Sequence, residues 1–331
     1  MMTPGTYSDS SCAGLTRASI AHETANAMDC RVKPGNDEPA DRHRAPDGFV
    51  MVAVLWILGA LATLASIYSV YIIDTAVAFK AHDDRLQAEG LVSAALELTA
   101  HQVTARPDGE RRNNGSFGFR LGTGFASVQF RSEAARIDLN QAPKELLAGL
   151  FYGFGAKPED ALMYADRIIA WRTKPGPGQD AEASFYQAAG RRYVPRGGPF
   201  PHPAELWLVH GIPEVLIERA MPFITVYSGS AQVNVLDAPA EVLAALPGMT
   251  PDRLQAVLQQ RAATPQNGQV LLSLLGQAQS HATIESNKTV RVAVQVRLDN
   301  GRQLGSEVVI YVADADSEPY HVLSWRDGLD E

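Results

Sequence analysis

The chain has 331 residues, which at ~150 residues per domain corresponds to about two domains. Hydrophobic residues make up 46% and charged residues 20%, ordinary globular usage that excludes a largely disordered chain. Lys plus Arg number 29 against 37 Asp plus Glu, a net charge of −8. That balance argues against a general binder of nucleic acid or anionic lipid, because polyanions are held by clustered Lys and Arg. The only cysteines, Cys12 and Cys30, are too few for a disulfide framework or a Cys-rich zinc site.

Residues 1–47 carry Ser, Pro, Gly and Asp without a sustained hydrophobic period and read as a disordered leader. The first 48 residues hold five basic and seven acidic residues, so their removal leaves 24 and 30, a net of −6. Next comes FVMVAVLWILGALATLASIYSVYII, Phe49 to Ile73, 25 residues without a charge. At 1.5 Å per residue this helix is roughly 37 Å long, enough to cross a ~30 Å hydrocarbon core with some tilt. A cleaved secretory h-region of ~7–15 residues fits it poorly. Arg42, His43 and Arg44 precede the stretch and Asp74 ends it, which places the N-terminal side in the cytoplasm and the large C-terminal part outside. In a bacterium that outside is the periplasm. A buried core helix is the competing reading.

Beyond Asp74 the helical pattern continues to about His101, with Leu91, Ala94, Ala95 and Leu98 on one face and no Pro before Pro107. Asn113-Asn114-Gly115 opens a Gly-rich run of short alternating segments such as Ser127-Val128-Gln129-Phe130, which predicts small strands. From Ile137 the composition changes to short helices split by Pro and Gly. An internal repeat lies here: IDLNQAPKELLA (137–148) aligns with VNVLDAPAEVLA (233–244) at an offset of 96, with five of twelve positions identical. Each copy has a short extended start, a Pro in the first helical turn, an early Glu at the positive helix end, then apolar spacing. Each is followed by a second helix ending in Arg, RIIAWR (167–172) and LQAVLQQR (254–261). Such pairs cannot bury their own cores and should pack on one another. Val290, Val292, Val294, Val296 and Leu298 then alternate strictly, followed by Asp299-Asn300-Gly301 and a second run to Val312, a hairpin signal. The order is long helix, small strands, helical insert, hairpin, so one sheet is expected from both sides of the insert. The predicted fold class is α+β.

Gly48-Phe49, at the start of an uninterrupted apolar helix with basic residues upstream, resembles a type IV prepilin processing site. In that class a membrane peptidase cuts after the Gly and methylates the new N-terminal amine. The bland alternative is an uncleaved anchor with an incidental Gly. Position five of the mature chain would be Ala53, where most pilins carry Glu. In a low-dielectric bundle an N-terminal ammonium needs a carboxylate partner from a neighbour. A subunit lacking that carboxylate offers nothing to a subunit ahead of it and fits best at a fibre tip.

The chain beyond Gly48 is similar to the type II secretion system minor pseudopilin K family. The resemblance covers about 280 residues. It rests on the prepilin junction, the missing Glu at Ala53, the run Asp138–Leu146, Gly198-Pro199-Phe200 to Glu205-Leu206 before Val209-His210-Gly211-Ile212, and Val233–Pro239. It implies a pilin-like long N-terminal helix packed on a small antiparallel sheet, with a large inserted helical domain of SAM-like or helix-hairpin-helix-like character. The implied division is 1–48 leader, 49–73 transmembrane helix, 74–136 pilin-like helix and first strands, 137–280 insert in two related halves (137–230 and 231–280), and 281–331 closing strands. The implied role is structural, capping and initiating the pseudopilus together with minor pseudopilins I and J and the other pseudopilins, after processing by the prepilin peptidase. The implied location is the bacterial inner membrane, single-pass, with the C-terminal part periplasmic. The 48-residue leader is longer than the family's usual few basic residues and Asp47 is an unusual neighbour for the cut, which a gene start placed too far upstream would explain.

Some members of the family bind calcium through an acidic loop. The corresponding stretch, Thr173 to Tyr186, offers Asp180 and Glu182 among Pro and Gly. Calcium takes six to eight oxygens, several from carboxylates, so two acids here read more readily as solvated. Val233 to Arg261 also resembles helix-hairpin-helix DNA-binding modules, with Gly248 in the hairpin and Arg253 and Arg261 as its nearby charges. Those hairpins carry Gly-hydrophobic-Gly; here Pro251 follows Met249-Thr250 and the second Gly is missing, which restricts backbone approach to phosphate. Two alternatives follow: a membrane-anchored DNA-binding protein, and the tip pilin of a type IV pilus system. No enzyme constellation emerges. The eight His form no H-x-x-x-H pair, with His202 and His210 placed in loops or helix ends. Gly115, Gly118, Gly122 and Gly124 are not followed by Lys-Ser/Thr, and Trp171, Trp207 and Trp325 read as core or interface anchors.

Overall fold

Helix α1 (Asp47–Thr104) contains no Pro and is built from Ala, Leu, Val and Ile, so nothing in its interior breaks the hydrogen-bond ladder. The computed structural model describes residues 47–105, 114–176, 181–264, 267–285, 287–313 and 318–328. The leader reading over residues 1–46 and the candidate ligand Asp180 lie outside them. The chain divides into two units, residues 1–69 and 70–331.

In the second unit, residues 84–103 of α1 pack on a five-stranded antiparallel sheet. The strands β1 (Asn114–Leu121) and β2 (Gly124–Ser132) precede a helical region, in which β3 (Ile137–Asp138), α2 (Lys144–Gly153), α3 (Pro158–Arg172), α4 (Ala181–Ala188) and α5 (Glu214–Ala220) come first. They are followed by β4 (Ile224–Thr225), β5 (Val233–Asn234), α6 (Ala240–Ala244), α7 (Pro251–Ala263), α8 (Gly268–Leu274) and β6 (Ala282–Thr283). The chain then returns to the sheet with β7 (Thr289–Leu298), β8 (Gln303–Val312) and β9 (Tyr320–Asp327), giving the order β1-β2-β7-β8-β9. The β2–β7 pairing, Val128 opposite Val294 and Phe130 opposite Val292, closes one sheet from both sides of the helical region.

Ala126, Val128 and Phe130 of β2 and Val290, Val292, Val294, Val296 and Leu298 of β7 point at the helix, as strict alternation requires. The helix answers with Ala88, Leu91, Val92, Ala95, Leu96, Ala100 and Val103, a 3–4 residue spacing. Leu91 and Ala95 lie on this face as expected, but Leu98 is 40% exposed, because the buried stripe runs through 92, 96 and 100 instead. Burying each Leu or Val fully is worth about 1.5–3 kcal/mol. At the far end of the hairpin, the loop between β7 and β8 turns at Gly301 (φ +84°), and Asn300 Nδ2 and Arg302 Nη1 donate to the buried Asp84 carboxylate at 2.9 and 3.0 Å. That pair of bonds fixes where α1 meets the sheet.

The two repeat copies have the same local construction. β3 and β5 each form a two-residue parallel bridge, with β4 and β6 respectively, and Leu139 and Val235 continue each bridge by donating to Thr225 and Thr283 carbonyls at 2.8 and 3.0 Å. Asp138 and Asn234 accept the backbone N–H two residues on, from Asn140 and Leu236, in matching turns. The arginine ending each second helix then reaches back. Arg172 donates to the carbonyls of Leu139 (2.5 Å) and Ala142 (2.8 Å); Arg261 donates to those of Val235 (3.3 Å) and Ala238 (2.6 Å). Positions 139 and 142 correspond to 235 and 238 at the offset of 96, so the arginines are equivalent clasps. Pro143 and Pro239 are N-caps, one residue before the first helical turn rather than in it. The copies meet at Gly149, where a Cβ would stand 2.0 Å from the Ala245 carbonyl oxygen.

Candidate functional site: the apolar helix and the charged end of the sheet

From Phe49 the side chains of α1 are open to the surroundings: Trp56 is 78% exposed and Phe49 73%. One helix of the described residues is long and apolar enough to cross a membrane, and its most apolar window is wholly unburied. Its Thr and Ser hydroxyls bond within the helix. Thr63, Ser66 and Ser69 donate to the carbonyls of Gly59, Ala62 and Ala65 four residues back, at 2.5, 2.9 and 2.8 Å. Such back-bonding satisfies polar groups in a hydrocarbon environment. Gly48 and Phe49 stand in the first turn of the helix, and Ala53 lies one turn further, contributing a methyl group and no charge.

Beyond the apolar stretch, Val77, Phe79 and Leu86 on α1 remain exposed. A groove of about 330 Å³ runs between the helix, at Ala81, Arg85 and Ala88, and the sheet edge at Leu304 and Trp325. Trp325 is 39% exposed there and its Nε1 donates to Asp327 at 2.7 Å.

Where the sheet meets the helical region, the chain buries a charge cluster that its sequence did not announce. Glu133 sits in a one-turn 3-10 segment (Glu133–Ala135) capped by the Ser132 hydroxyl, and its side chain is fully buried. It accepts from Arg291 Nε at 2.7 Å, Arg291 Nη2 at 3.1 Å and the Thr225 hydroxyl. Arg291 Nη1 donates to Glu307 at 2.5 Å. Burial works against the Arg291 charge, but the two glutamates outweigh it and raise its pKa above the ordinary arginine value. Arg136 fares differently. Burial and the neighbouring Arg291 push it down to about 10, and its nearest carboxylate oxygen, on Glu133, is 3.9 Å away. The one available signal was an Arg on the polar side of the Val-rich run Thr289–Leu298.

The remaining predicted residues fall into structural roles. Glu182, in the first turn of α4, has both carboxylate oxygens 2.8 Å from Arg167 Nη1, and Arg167 lies 3.5 Å over the Phe185 ring. That carboxylate is paired with an arginine, its candidate partner Asp180 lies outside the described residues, and no group of three or more metal-binding side chains occurs among the described residues. Gly248 takes φ +73° and Arg253 Nη1 donates to its carbonyl at 3.4 Å. Arg261 spends Nη1 on the Val235 and Ala238 carbonyls. The structure therefore brings Gly248 and Arg253 together and ties one nitrogen of Arg261 to the chain's own backbone. His202 Nδ1 accepts from Ala204 N–H at 3.0 Å, capping a short 3-10 segment, and the His210 N–H donates to the Tyr186 hydroxyl at 2.9 Å. Trp171 is core, stacked on Phe200, with Nε1 donating to the Glu205 carboxylate at 3.2 Å. Trp207 and Trp325 are partly exposed.

A long apolar N-terminal helix laid on an antiparallel sheet, with helices added between the strands, defines a pilin-like subunit. Residues 129–229 and 233–294 match two family models, both described as "Type II secretion system (T2SS), protein K". These two matches support a minor pseudopilin of the type II secretion protein K family. No curated protein matches it by sequence. Among solved structures, it is similar to a chain of the crystal structure of the GspK-GspI-GspJ complex from the enterotoxigenic Escherichia coli Type 2 Secretion System. The TM-score is 0.59 at 18% identity, over 76% of this chain and 99% of that one.

Proposed function

We propose that this chain is the tip subunit of a type II secretion pseudopilus: it caps the fibre, initiates its assembly and so supports export of proteins across the outer membrane. The observation that carries the reading is the unburied apolar stretch of α1 with Ala53, not Glu, one turn from its start. A bare helix of this length needs lipid before assembly and other helices after it. Without a carboxylate at Ala53 the subunit has no partner for an ammonium ahead of it. In this reading a prepilin peptidase cuts between Gly48 and Phe49 and methylates Phe49, and α1 holds the chain as a single span in the bacterial inner membrane with its C-terminal part in the periplasm. Minor pseudopilins I and J dock on α1 through Val77, Phe79 and Leu86 and the groove beside Trp325. The role is structural, not enzymatic.

The test is coexpression of the processed chain with pseudopilins I and J, followed by detergent extraction and size-exclusion chromatography. The expected result is one complex holding a single copy of each. Loss of that complex on Phe79→Ser and Leu86→Ser together supports the docking face. Failure of the unaltered chain to bind either pseudopilin overturns the reading.

A further inference from the structure

The outer face of the sheet, turned away from α1, carries a pocket of about 550 Å³ at the β1 side, and its charge is unbalanced. In the sheet register Arg131 stands directly opposite Arg291, with Asn114 opposite Arg131 on the other side. Like charges directly opposite each other on neighbouring strands repel. Arg136 enters the same pocket from the loop after Glu133. Three guanidinium groups thus face two carboxylates, Glu133 and Glu307, and Arg291 occupies both through three hydrogen bonds. Arg131 has no carboxylate within 4 Å among the described residues, and Arg136 has only the distant, already occupied Glu133. Nearby, Asp237 accepts from Asn114, and Arg261 is close enough to feel both Asp237 and Arg131. Among the described residues the excess of one positive charge persists. It sits in a chain of net charge −8, so no general basic surface explains it.

Arg131 is exposed and Arg136 partly buried, so an anion reaching this open pocket meets two guanidinium groups that lack a close carboxylate among the described residues. The space is far larger than one small oxyanion needs, Ala293 supplies an apolar part of its wall, and Ser116 and Gln129 add polar groups. β1 is an end strand of the sheet, so the outer backbone groups of Asn114–Ser116 border the pocket without a sixth strand beside them. A guanidinium pair at a strand edge suits an extended segment that brings a carboxylate with it. We propose that this pocket receives the side-chain carboxylate of an acidic protein segment, held by Arg131 and Arg136. The assignment goes beyond tip placement and does not depend on processing of the apolar helix.

The test uses the full chain in neutral detergent and a fluorescein-labelled hexaglutamate peptide, read by anisotropy. The expected result is saturable binding that weakens as salt is raised. R131Q should bind at least tenfold more weakly while keeping the circular dichroism spectrum of the parent and a Tm no lower, since Arg131 makes no ion pair among the described residues and its loss relieves repulsion with Arg291. E307Q, which removes a competing carboxylate, should bind more tightly. Unlabelled hexaglutamate should displace the probe, and inorganic phosphate at matched ionic strength should not. Absence of saturable binding, or equal binding by R131Q, overturns the proposal. Displacement by phosphate as effective as by hexaglutamate also overturns it and assigns the pocket to a small oxyanion.

Discussion

Glu133→Gln removes a single charge from the junction of the sheet and the helical region and leaves nearly the same shape. In the parent, the Glu133 side chain is fully buried and holds two hydrogen bonds from Arg291 at 2.7 and 3.1 Å, with the Thr225 hydroxyl as a third donor. Breaking a buried ion pair from one side costs about 3–5 kcal/mol, because the surviving charge stays buried. Arg291 keeps Glu307 at 2.5 Å, and the Gln amide oxygen still accepts, so the lower end applies, about 3 kcal/mol. For a folded unit of this size, 1 kcal/mol moves Tm by about 2–4 °C, so the variant should melt roughly 6–12 °C below the parent. Arg291→Met on top of Glu133→Gln should cost less than the sum of the two single changes, by about 0.5–3 kcal/mol. The sign of the linkage is plain: the pKa of Arg291 is raised on folding, so its contribution is complete below the unfolded value and is lost only as pH rises through the folded one. Thermal unfolding by circular dichroism at neutral pH therefore reports it in full. A Tm within about 1 °C of the parent, or strict additivity of the two changes, would refute the claim that this cluster ties the two regions together.

Gly149→Ala should destabilise by at least the 1–3 kcal/mol usual for overpacking, because the new Cβ meets backbone of Ala245 that cannot swing aside. Gly153→Ala, in the last turn of the same helix with open space around it, is the neutral control in the same melting experiment. Burial, then Arg326 and Arg291, lower the pKa of His202, so its neutral form stabilises the fold above the unfolded value of about 6.5 and that contribution is lost as pH falls through the folded one. His202→Asn keeps an acceptor for Ala204 N–H without titrating, and should flatten the fall in Tm measured between about pH 6.5 and pH 5. Chelation by EDTA should leave Tm unchanged, since Glu182 is neutralised by Arg167; a drop of several degrees, restored by calcium, would contradict that placement.

Local rules carried far along this chain, and their limits are specific. The alternation Val290 to Leu298 and the turn at Gly301 gave the hairpin because a half-buried strand must alternate and a tight reversal needs a positive φ. The 96-residue offset found the two related segments, which fold alike down to the turn at Asp138 and Asn234. What escaped were relations between distant residues. Arg172 and Arg261 were visible as helix-ending arginines, but their targets lie 23 to 33 residues earlier and only the folded chain brings them near. Glu133 and Arg291 are 158 residues apart, and neither has a local pattern that marks it as buried. Leu98 satisfied the helical period yet faces outward, since a period fixes spacing but not which of two neighbouring stripes the sheet covers. Gly115 and Gly118 lie within β1 and leave room for the rings of Phe130 and Phe125, which a Cβ would approach to 2.6 and 2.7 Å, a packing need that no local pattern shows.

The apolar helix joins the sequence to the proposed role, and its first residues can be tested without any partner. The measurement is the intact mass and N-terminal sequence of the full chain coexpressed with a prepilin peptidase, beside a pilin substrate as control. The account predicts a chain that begins at Phe49 and carries one added methyl group, with residues 1–48 removed. A chain left uncut at Gly48 while the control is processed would contradict it.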